Sequence, residues 1–226
     1  MKPNLIIYGI GSMAQTYASY LQDFYNIVAF TVESSIKNSD HYNDLPLIEF
    51  EKLTDKFPPE RHKLIVAVGY IEMNQIRTRI AWQAKQQGYQ LISYFDPSVK
   101  KHNKVSLGEN SVIFEHSSIH CNSKIGHNVF ISSGVHIGHD CEIGDNVWIN
   151  SGVCLAGGVK ISNNTFIGMN ATVSHNVTIA ENNFIGAATL VNNNTQIDSV
   201  IVAPAGELLP MNSQTFLRFS KVMNNV

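Results

Sequence analysis

From Leu107 onward the chain places an aliphatic residue at every sixth position without a slip: Leu107, Ile113, Ile119, Ile125, Ile131, Ile137, Ile143, Ile149, Leu155, Ile161, Ile167, Val173, Ile179, Ile185, Val191 and Ile197. At ordinary apolar composition, so long a run arises by chance on the order of once in ten thousand sequences or less. The third residue after each aliphatic is Asn, Gly or Asp at thirteen of the fifteen positions from 110 to 194. These residues tolerate a left-handed backbone at little cost. Two residues before each aliphatic stand mostly Val, Ser, Thr, Ala or Cys, small or β-branched and suited to a confined strand interior. Each hexapeptide is therefore a short strand followed by a sharp corner. Three corners close a triangular coil of 18 residues. Stacked coils pair through parallel ladders roughly 4.8 Å apart.

Composition fits this solenoid. Nine of the fifteen corner residues are Asn, only 15% of all residues are charged, and the net charge is −2. That balance argues against a disordered chain, a polybasic membrane anchor and a nucleic-acid binder driven by phosphate attraction. The three cysteines, Cys121, Cys141 and Cys154, have no CxxC spacing and cannot all pair with one another, which points to a reducing cytoplasm. No apolar run approaches the ~18 residues of a membrane span, and the N-terminal apolar run is too short for a signal peptide.

The segment 1–95 reads differently. Leu5-Ile6-Ile7-Tyr8 is a buried-strand run, Gly9-Ile10-Gly11-Ser12-Met13-Ala14 follows, and a helical pattern continues through Tyr17, Tyr20, Leu21 and Phe24. A second strand over 27–32 ends at Glu33. Further strands are expected at 64–68 and 91–94, with a helix from about Ile71 to Gln87 between them. This βαβ layout presents backbone N–H groups to a phosphate at a helix N-terminus. Gly9, Gly11 and Ala14 match the GxGxxA fingerprint, and Glu33 stands where a ribose-binding acid falls. NAD is one reading. About 95 residues hold a small parallel sheet but not two mononucleotide-binding halves, so a single nucleotide fits better. The expected organisation is a Rossmann-like domain over 1–95, a linker over 96–106, a β-helix over 107–201 and a tail over 202–226.

This pairing of a small Rossmann-like domain with a left-handed β-helix resembles the bacterial hexapeptide-repeat sugar acyltransferases, the group of sialic-acid O-acetyltransferases and nucleotide-amino-sugar N-acetyltransferases. The likeness covers the chain to about Ile201. It implies a homotrimer with active sites between subunits, in which the N-terminal domain holds the nucleotide of the sugar and acetyl-CoA lies along the β-helix. It also implies that Gly9, Gly11, Ser12, Met13, Glu33, Gly69 and Tyr70 line the nucleotide site.

Acyl transfer from a thioester needs a base for the attacking group and a donor for the oxyanion. The stretch Val135-His136-Ile137-Gly138-His139-Asp140-Cys141-Glu142-Ile143-Gly144 resembles the family's catalytic segment. The match makes His139 the base and Asp140 its orienter, with His136 a neighbouring surface or substrate-contact residue. One coil further on is Gly157, which implies room for the pantetheine arm and an N–H for the oxyanion. Gly168, Met169, Gly186 and Ala187 match positions lining the CoA channel. Two positions depart from the family pattern: Trp148 and Met13 stand where many members have histidine. Trp148 is then expected to stack on a sugar ring or narrow the pocket. A zinc site like that of the γ-type carbonic anhydrases is disfavoured. His139 and His175 lie two coils apart, and Ala180 occupies the place of that family's third histidine.

The resemblance points to acetyl-CoA-dependent acetylation of the amino group of a nucleotide-linked amino-sugar in surface-glycan synthesis, without a metal. The alternatives are O-acetylation of a sialic-acid-like sugar and a non-catalytic nucleotide-sugar-binding module. The tail, with Phe216, Leu217, Phe219, Val222 and Met223, reads as a short amphipathic helix covering the open end of the solenoid or packing on a neighbour.

Overall fold

The computed structural model describes residues 2–223. Its N-terminal part runs β1 (Asn4–Tyr8), α1 (Ser12–Leu21), β2 (Asn26–Val32), β3 (His41–Tyr42), β4 (Leu45–Glu49), a 3-10 turn (Phe50–Lys52), α2 (Leu53–Lys56), β5 (His62–Val66), α3 (Gln75–Gln86) and β6 (Gln90–Leu91). The strands form one sheet in the order β3-β4-β2-β1-β5-β6, parallel apart from the β3–β4 hairpin. The central strands are unbroken apolar runs because both faces are covered. Leu5 and Ile7 pack with Tyr17 and Leu21 of α1, while Ile6 and Leu64 pack with Ile80 and Ala84 of α3.

The hairpin was not anticipated from the sequence. Its corner residues Asn43 and Asp44 both have positive φ, 48° and 60°, as a tight mirror-image turn requires. The expected strand at 91–94 also divides. Gln90–Leu91 pairs with β5, whereas Tyr94–Phe95 pairs with Val112–Ile113 in the solenoid.

The solenoid therefore starts earlier than expected. Lys100–Lys101 pairs with Ser118–Ile119 and Ser106–Leu107 with Lys124–Ile125, so residues 96–106 belong to the first coil and are not a linker. The aliphatic column does not announce this coil, because Lys101 takes the inward register at an end where no coil lies beyond it, and it is exposed. At the other end the six-residue step fails. Val200–Ile201 pairs with Phe184–Ile185, 16 residues earlier instead of 18. Asn194 does not adopt the left-handed backbone, the left-handed corner stacked on Asn182 falls at Asp198, 16 residues on, and Ile197 is 64% exposed instead of inward.

Between these ends the coils make three parallel sheets. The inward aliphatics from Ile113 to Val191 form one continuous core. The column two residues earlier is also buried from Ser111 to Thr189, and its serines bond across the coils. Ser111, Ser117 and Ser123 donate to the carbonyls of Gly126, Ser132 and Gly138 at 2.8, 3.0 and 2.8 Å. A small hydroxyl is tolerated there because it meets a carbonyl of the next coil.

The corner asparagines do more than adopt positive φ. Asn110, Asn128, Asn146 and Asn164 form a ladder, each amide donating to the next carbonyl oxygen at 3.0 to 3.1 Å. The first face of the prism, holding Val112, Phe130, Trp148 and Phe166, is aromatic and is covered by the N-terminal domain. Hydrogen bonds tie the two parts, Lys85 to Glu109 among them. Tyr20 Oη donates to Glu115 at 2.6 Å, the Val66 N–H to Asn110 Oδ1 at 2.8 Å, and Asn74 Nδ2 to the Asn146 carbonyl at 2.7 Å. The second face holds Ser118, His136, Cys154 and Thr172, and the third Lys124, Glu142, Lys160 and Thr178.

The tail contains α4 (Ser213–Met223). Phe216 and Phe219 are at least half exposed, so these rings do not cap the end of their own solenoid. The side chains of Val222 and Met223 lie outside the described residues. No helix among the described residues is long and apolar enough to cross a membrane.

Candidate active site

His139 stands on the corner between the second and third faces, in the turn that joins His136–Ile137 to Glu142–Ile143. Its ring is more than half exposed. Nδ1 lies 2.7 Å from Asp140 Oδ2, and Asp140 Oδ1 accepts from Asn122 Nδ2 at 2.9 Å. Asp140 is itself the left-handed corner residue, φ 57°, so the turn that closes the coil also sets the carboxylate against the ring. Hydrogen bonding from His139 first, and then from Asn122, holds the Asp140 carboxyl below the usual carboxylate range. An ionised Asp140 favours the tautomer with the proton on Nδ1, leaving the Nε2 lone pair free to accept.

Nε2 faces Gly157. A Cβ built there would sit 2.5 Å from Nε2, 2.6 Å from Cε1 and 3.0 Å from Cδ2, so only glycine leaves the imidazole its place. The neighbouring Gly158 N–H is committed to the His139 carbonyl at 2.8 Å. The Gly157 N–H has no acceptor among the hydrogen bonds of the described residues.

Gly168 and Gly186 are glycines for another reason. A Cβ on Gly168 would strike the Ala187 backbone nitrogen at 2.5 Å, and one on Gly186 would meet Val202 Cγ1 at 2.9 Å. Both positions, with the exposed Met169 and with Ala187, lie on the corner between the first and second faces, away from the His139 corner.

The second group of expected residues surrounds a cleft of about 440 Å³ at the C-terminal ends of β1, β2 and β5. Gly9, Gly11, Ser12, Met13, Glu33 and Gly69 all line it. Gly9 has φ +124°, and a Cβ there would fall 2.8 Å from the Ala67 carbonyl oxygen, so the tight first turn needs glycine. Gly11 caps α1, and a Cβ built on it meets nothing within 4 Å, which leaves the helix N-terminus open to a ligand.

Tyr70 follows Gly69 and leans on the first face, 5.5 Å from the Trp148 ring and 4.5 Å from Phe166. It belongs to a strained connection in which Glu72, Met73 and Asn74 all have positive φ. Trp148 is not available for stacking on a sugar. It is 4% exposed, stacked on Phe130 at 3.8 Å, with the Arg77 guanidinium 5.2 Å from its ring. Its part is to support Tyr70. Sequence reasoning passed over Arg77, a basic residue in an ordinary helical segment, yet it is fully buried and burial pushes its pKa down to about 10.

His136 is exposed on the second face, with Nδ1 2.6 Å from Ser118 Oγ. It belongs to a row that was not foreseen. His102 and His120 rings lie 5.0 Å apart, and His120 and His136 rings 4.8 Å apart. The row combines an 18-residue and a 16-residue separation, so no single column of the repeat reveals it. Burial, followed by the other imidazoles, lowers the His120 pKa. Among the described residues, no group of three or more His, Cys, Asp or Glu side chains is arranged to hold a metal ion.

In a three-sided prism, the corner between the second and third faces is opposite the first face. His139 is therefore on the far side of the solenoid from Tyr70 and the cleft beside it. One chain does not bring the two halves together.

Fold and site define a hexapeptide-repeat β-helix joined to a parallel α/β domain. Residues 122–157 and 158–193 match the family model described as bacterial transferase hexapeptide (six repeats). No curated protein matches the chain. Among solved structures, it is similar to a histidine-to-asparagine mutant of perosamine N-acetyltransferase from Caulobacter crescentus in complex with CoA and GDP-perosamine, with 23% identity and a TM-score of 0.79 over 88% of this chain and 93% of that one. It is also similar to the acetyltransferase domain of PglB from Neisseria gonorrhoeae in complex with acetyl coenzyme A, with 22% identity and a TM-score of 0.79 over 92% and 100% of the two chains. WeeI from Acinetobacter baumannii matches at 19% identity and a TM-score of 0.78, over 92% and 100%. At these identities the likeness establishes a shared fold.

Proposed function

We propose that the protein is a cytoplasmic acetyltransferase that moves the acetyl group of acetyl-CoA to the amino group of a nucleotide-linked sugar in surface-glycan synthesis. The observation that carries this reading is the His139–Asp140 pair set against the bare backbone of Gly157. The acceptor nitrogen attacks the thioester carbonyl carbon, and its proton passes to His139 Nε2. Asp140 holds Nδ1–H and stabilises the imidazolium, while the Gly157 N–H donates to the oxyanion. Collapse expels CoA as a thiolate, which takes the proton from His139 Nε2 and restores the neutral base. The ligands named for the similar structures, CoA with GDP-perosamine and acetyl-CoA, support the same substrate classes here.

The separation of His139 from the cleft favours a left-handed β-helical homotrimer whose active sites lie between subunits, the base from one chain and the nucleotide cleft from the next. Gly168, Met169, Gly186 and Ala187 would then flank the CoA arm across that seam. Complementation tests this. His139→Ala and Gly11→Trp are each expected to be inactive. Co-assembled in equal amounts they should recover about a quarter of wild-type sites by random mixing around a closed ring. No recovery would place base and cleft in the same chain's site. Release of CoA thiol with a panel of nucleotide amino-sugars separates an enzyme from a binding module. Hydroxylamine lability of the product separates ester from amide.

A further inference from the structure

One corner of the prism carries a pocket that the proposed chemistry does not use. It lies between the third and first faces, where α3 rests beside the solenoid, and holds about 220 Å³. This corner bears neither His139 nor Gly168 and Gly186. In the seam proposed above the other two corners meet neighbouring subunits, so this one points away from the assembly and stays open. Trp82 forms one wall. Tryptophan is highly buried on average, yet this one is 62% exposed. Among the described residues it packs on no other ring, and its indole N–H has no acceptor.

The corner column builds the facing wall. The Glu109 N–H donates to His127 Nδ1 at 3.0 Å, and the His127 N–H to Asp145 Oδ1 at 2.7 Å. Each side chain thus commits one polar atom to the coil before it. With Nδ1 accepting, the neutral His127 ring carries its proton on Nε2 as a fixed donor, and Asp145 Oδ2 remains a fixed acceptor. Lys85 and Glu109, paired at 2.5 Å, add a donor and an acceptor at the rim.

We infer that this pocket is an accessory carbohydrate site that takes one uncharged pyranose ring, its apolar face on Trp82 and its hydroxyls between His127, Asp145 and the Lys85–Glu109 pair. The indole offers a flat apolar surface with a polar edge. Neighbouring donors and acceptors suit vicinal hydroxyls, because each hydroxyl both donates and accepts. Two carboxylates against one ammonium disfavour a phosphate, and with it the nucleotide and CoA of the reaction. The volume falls below the ~300–1,000 Å³ of pockets for drug-sized ligands and fits a single ring. Such a site holds the enzyme to a glycan at a point separate from the reacting sugar.

Trp82 and Trp148 are the two tryptophans, and Trp148 is buried, so a fluorescence change on ligand addition reports on Trp82. The full chain is titrated with the methyl glycosides of glucose, galactose, mannose and N-acetylglucosamine, and with adenosine monophosphate. At least one glycoside should give a saturable change with a dissociation constant of about 1–10 mM, as befits so small a ligand. Saturation-transfer NMR, which needs no fluorophore, compares the variants. Trp82→Ala should weaken that glycoside by about tenfold or more. Asp145→Asn keeps an acceptor for the His127 N–H but turns the free oxygen into a donor, and should weaken it by about threefold or more. Thiol release with a nucleotide amino-sugar, and the melting curve, should be unchanged in Trp82→Ala. No saturable response to any glycoside, tighter binding of adenosine monophosphate than of every glycoside, or undiminished glycoside binding by Trp82→Ala would overturn the inference. So would loss of thiol release in a stably folded Trp82→Ala, which would put Trp82 at the reacting site. Acetyl transfer itself is judged by wild-type thiol release, so the two readings fail separately.

Discussion

Replacing Gly157 by alanine separates the placement of the base from the stability of the fold. The added Cβ would lie 2.5 Å from His139 Nε2, and ordinary contact begins near 3.4 Å, so the ring must retreat by about 0.9 Å or rotate out. Because the ring is more than half exposed and no backbone atom is struck, it can swing into solvent. The cost to folding should therefore stay within about 0.5 kcal/mol, as for surface substitutions. Catalysis should suffer far more, since misplacement of a reacting group by ~1 Å costs on the order of a hundredfold. The movement also strains the 2.7 Å contact with Asp140 that sets the tautomer. The assay is thiol release from acetyl-CoA, measured as kcat beside a melting curve. Near-normal kcat with an unchanged melting temperature would show that neither the position of His139 nor the open space at Gly157 serves the reaction.

Gly168→Ala should do the reverse, because its Cβ strikes backbone at 2.5 Å and forces two coils apart; a stability loss of about 1–3 kcal/mol, read by denaturant titration, is expected. Ala188 holds a left-handed corner at φ 54°, so Ala188→Gly should stabilise by about 1 kcal/mol and raise the melting temperature by a few degrees. Arg77→Met should be neutral or stabilising, since it removes a buried cation whose Nε and Nη2 have no partner, whereas Arg77→Ala should destabilise by opening a cavity beside Trp148. The Arg79 hydrogen bond holds the Glu33 carboxyl below its ordinary range. A depressed folded-state pKa means that the pair's contribution is whole above the unfolded-state value and is lost as pH falls through the folded one. Wild type and Glu33→Gln should therefore differ by at most ~1 kcal/mol at neutral pH. That difference should vanish only on acidification below the ordinary glutamate range.

Much of the fold was legible because its causes are local and repeated. A coil closes wherever an inward aliphatic is followed by a corner residue that accepts positive φ, and both are written in each hexapeptide. The first coil and the last escaped notice where the repeat meets solvent. Lys101 takes an inward register at an open end, and the last coil is two residues short, which sends Ile197 outward. The β3–β4 hairpin was missed although Asn43-Asp44 is a turn dipeptide, because its strands are short and Pro46 interrupts one of them.

The candidate site divides along the same line. His139, Asp140 and Gly157 are one residue or one coil apart, so the 18-residue period alone stacks them. Gly9, Gly11 and Glu33 follow from a single βαβ unit. The burial of Trp148 under Tyr70 and the grip of Arg79 on Glu33 join residues whose separations belong to no period. The first depends on how the α/β domain rests against one face of the prism, the second on how α3 packs against the end of β2 within that domain. The sequence by itself determined the coils, because strand and corner preferences act within six residues. Only the tertiary structure decided that the base and the cleft stand on opposite sides of the solenoid. That is set by which of the three faces is aromatic enough to be buried.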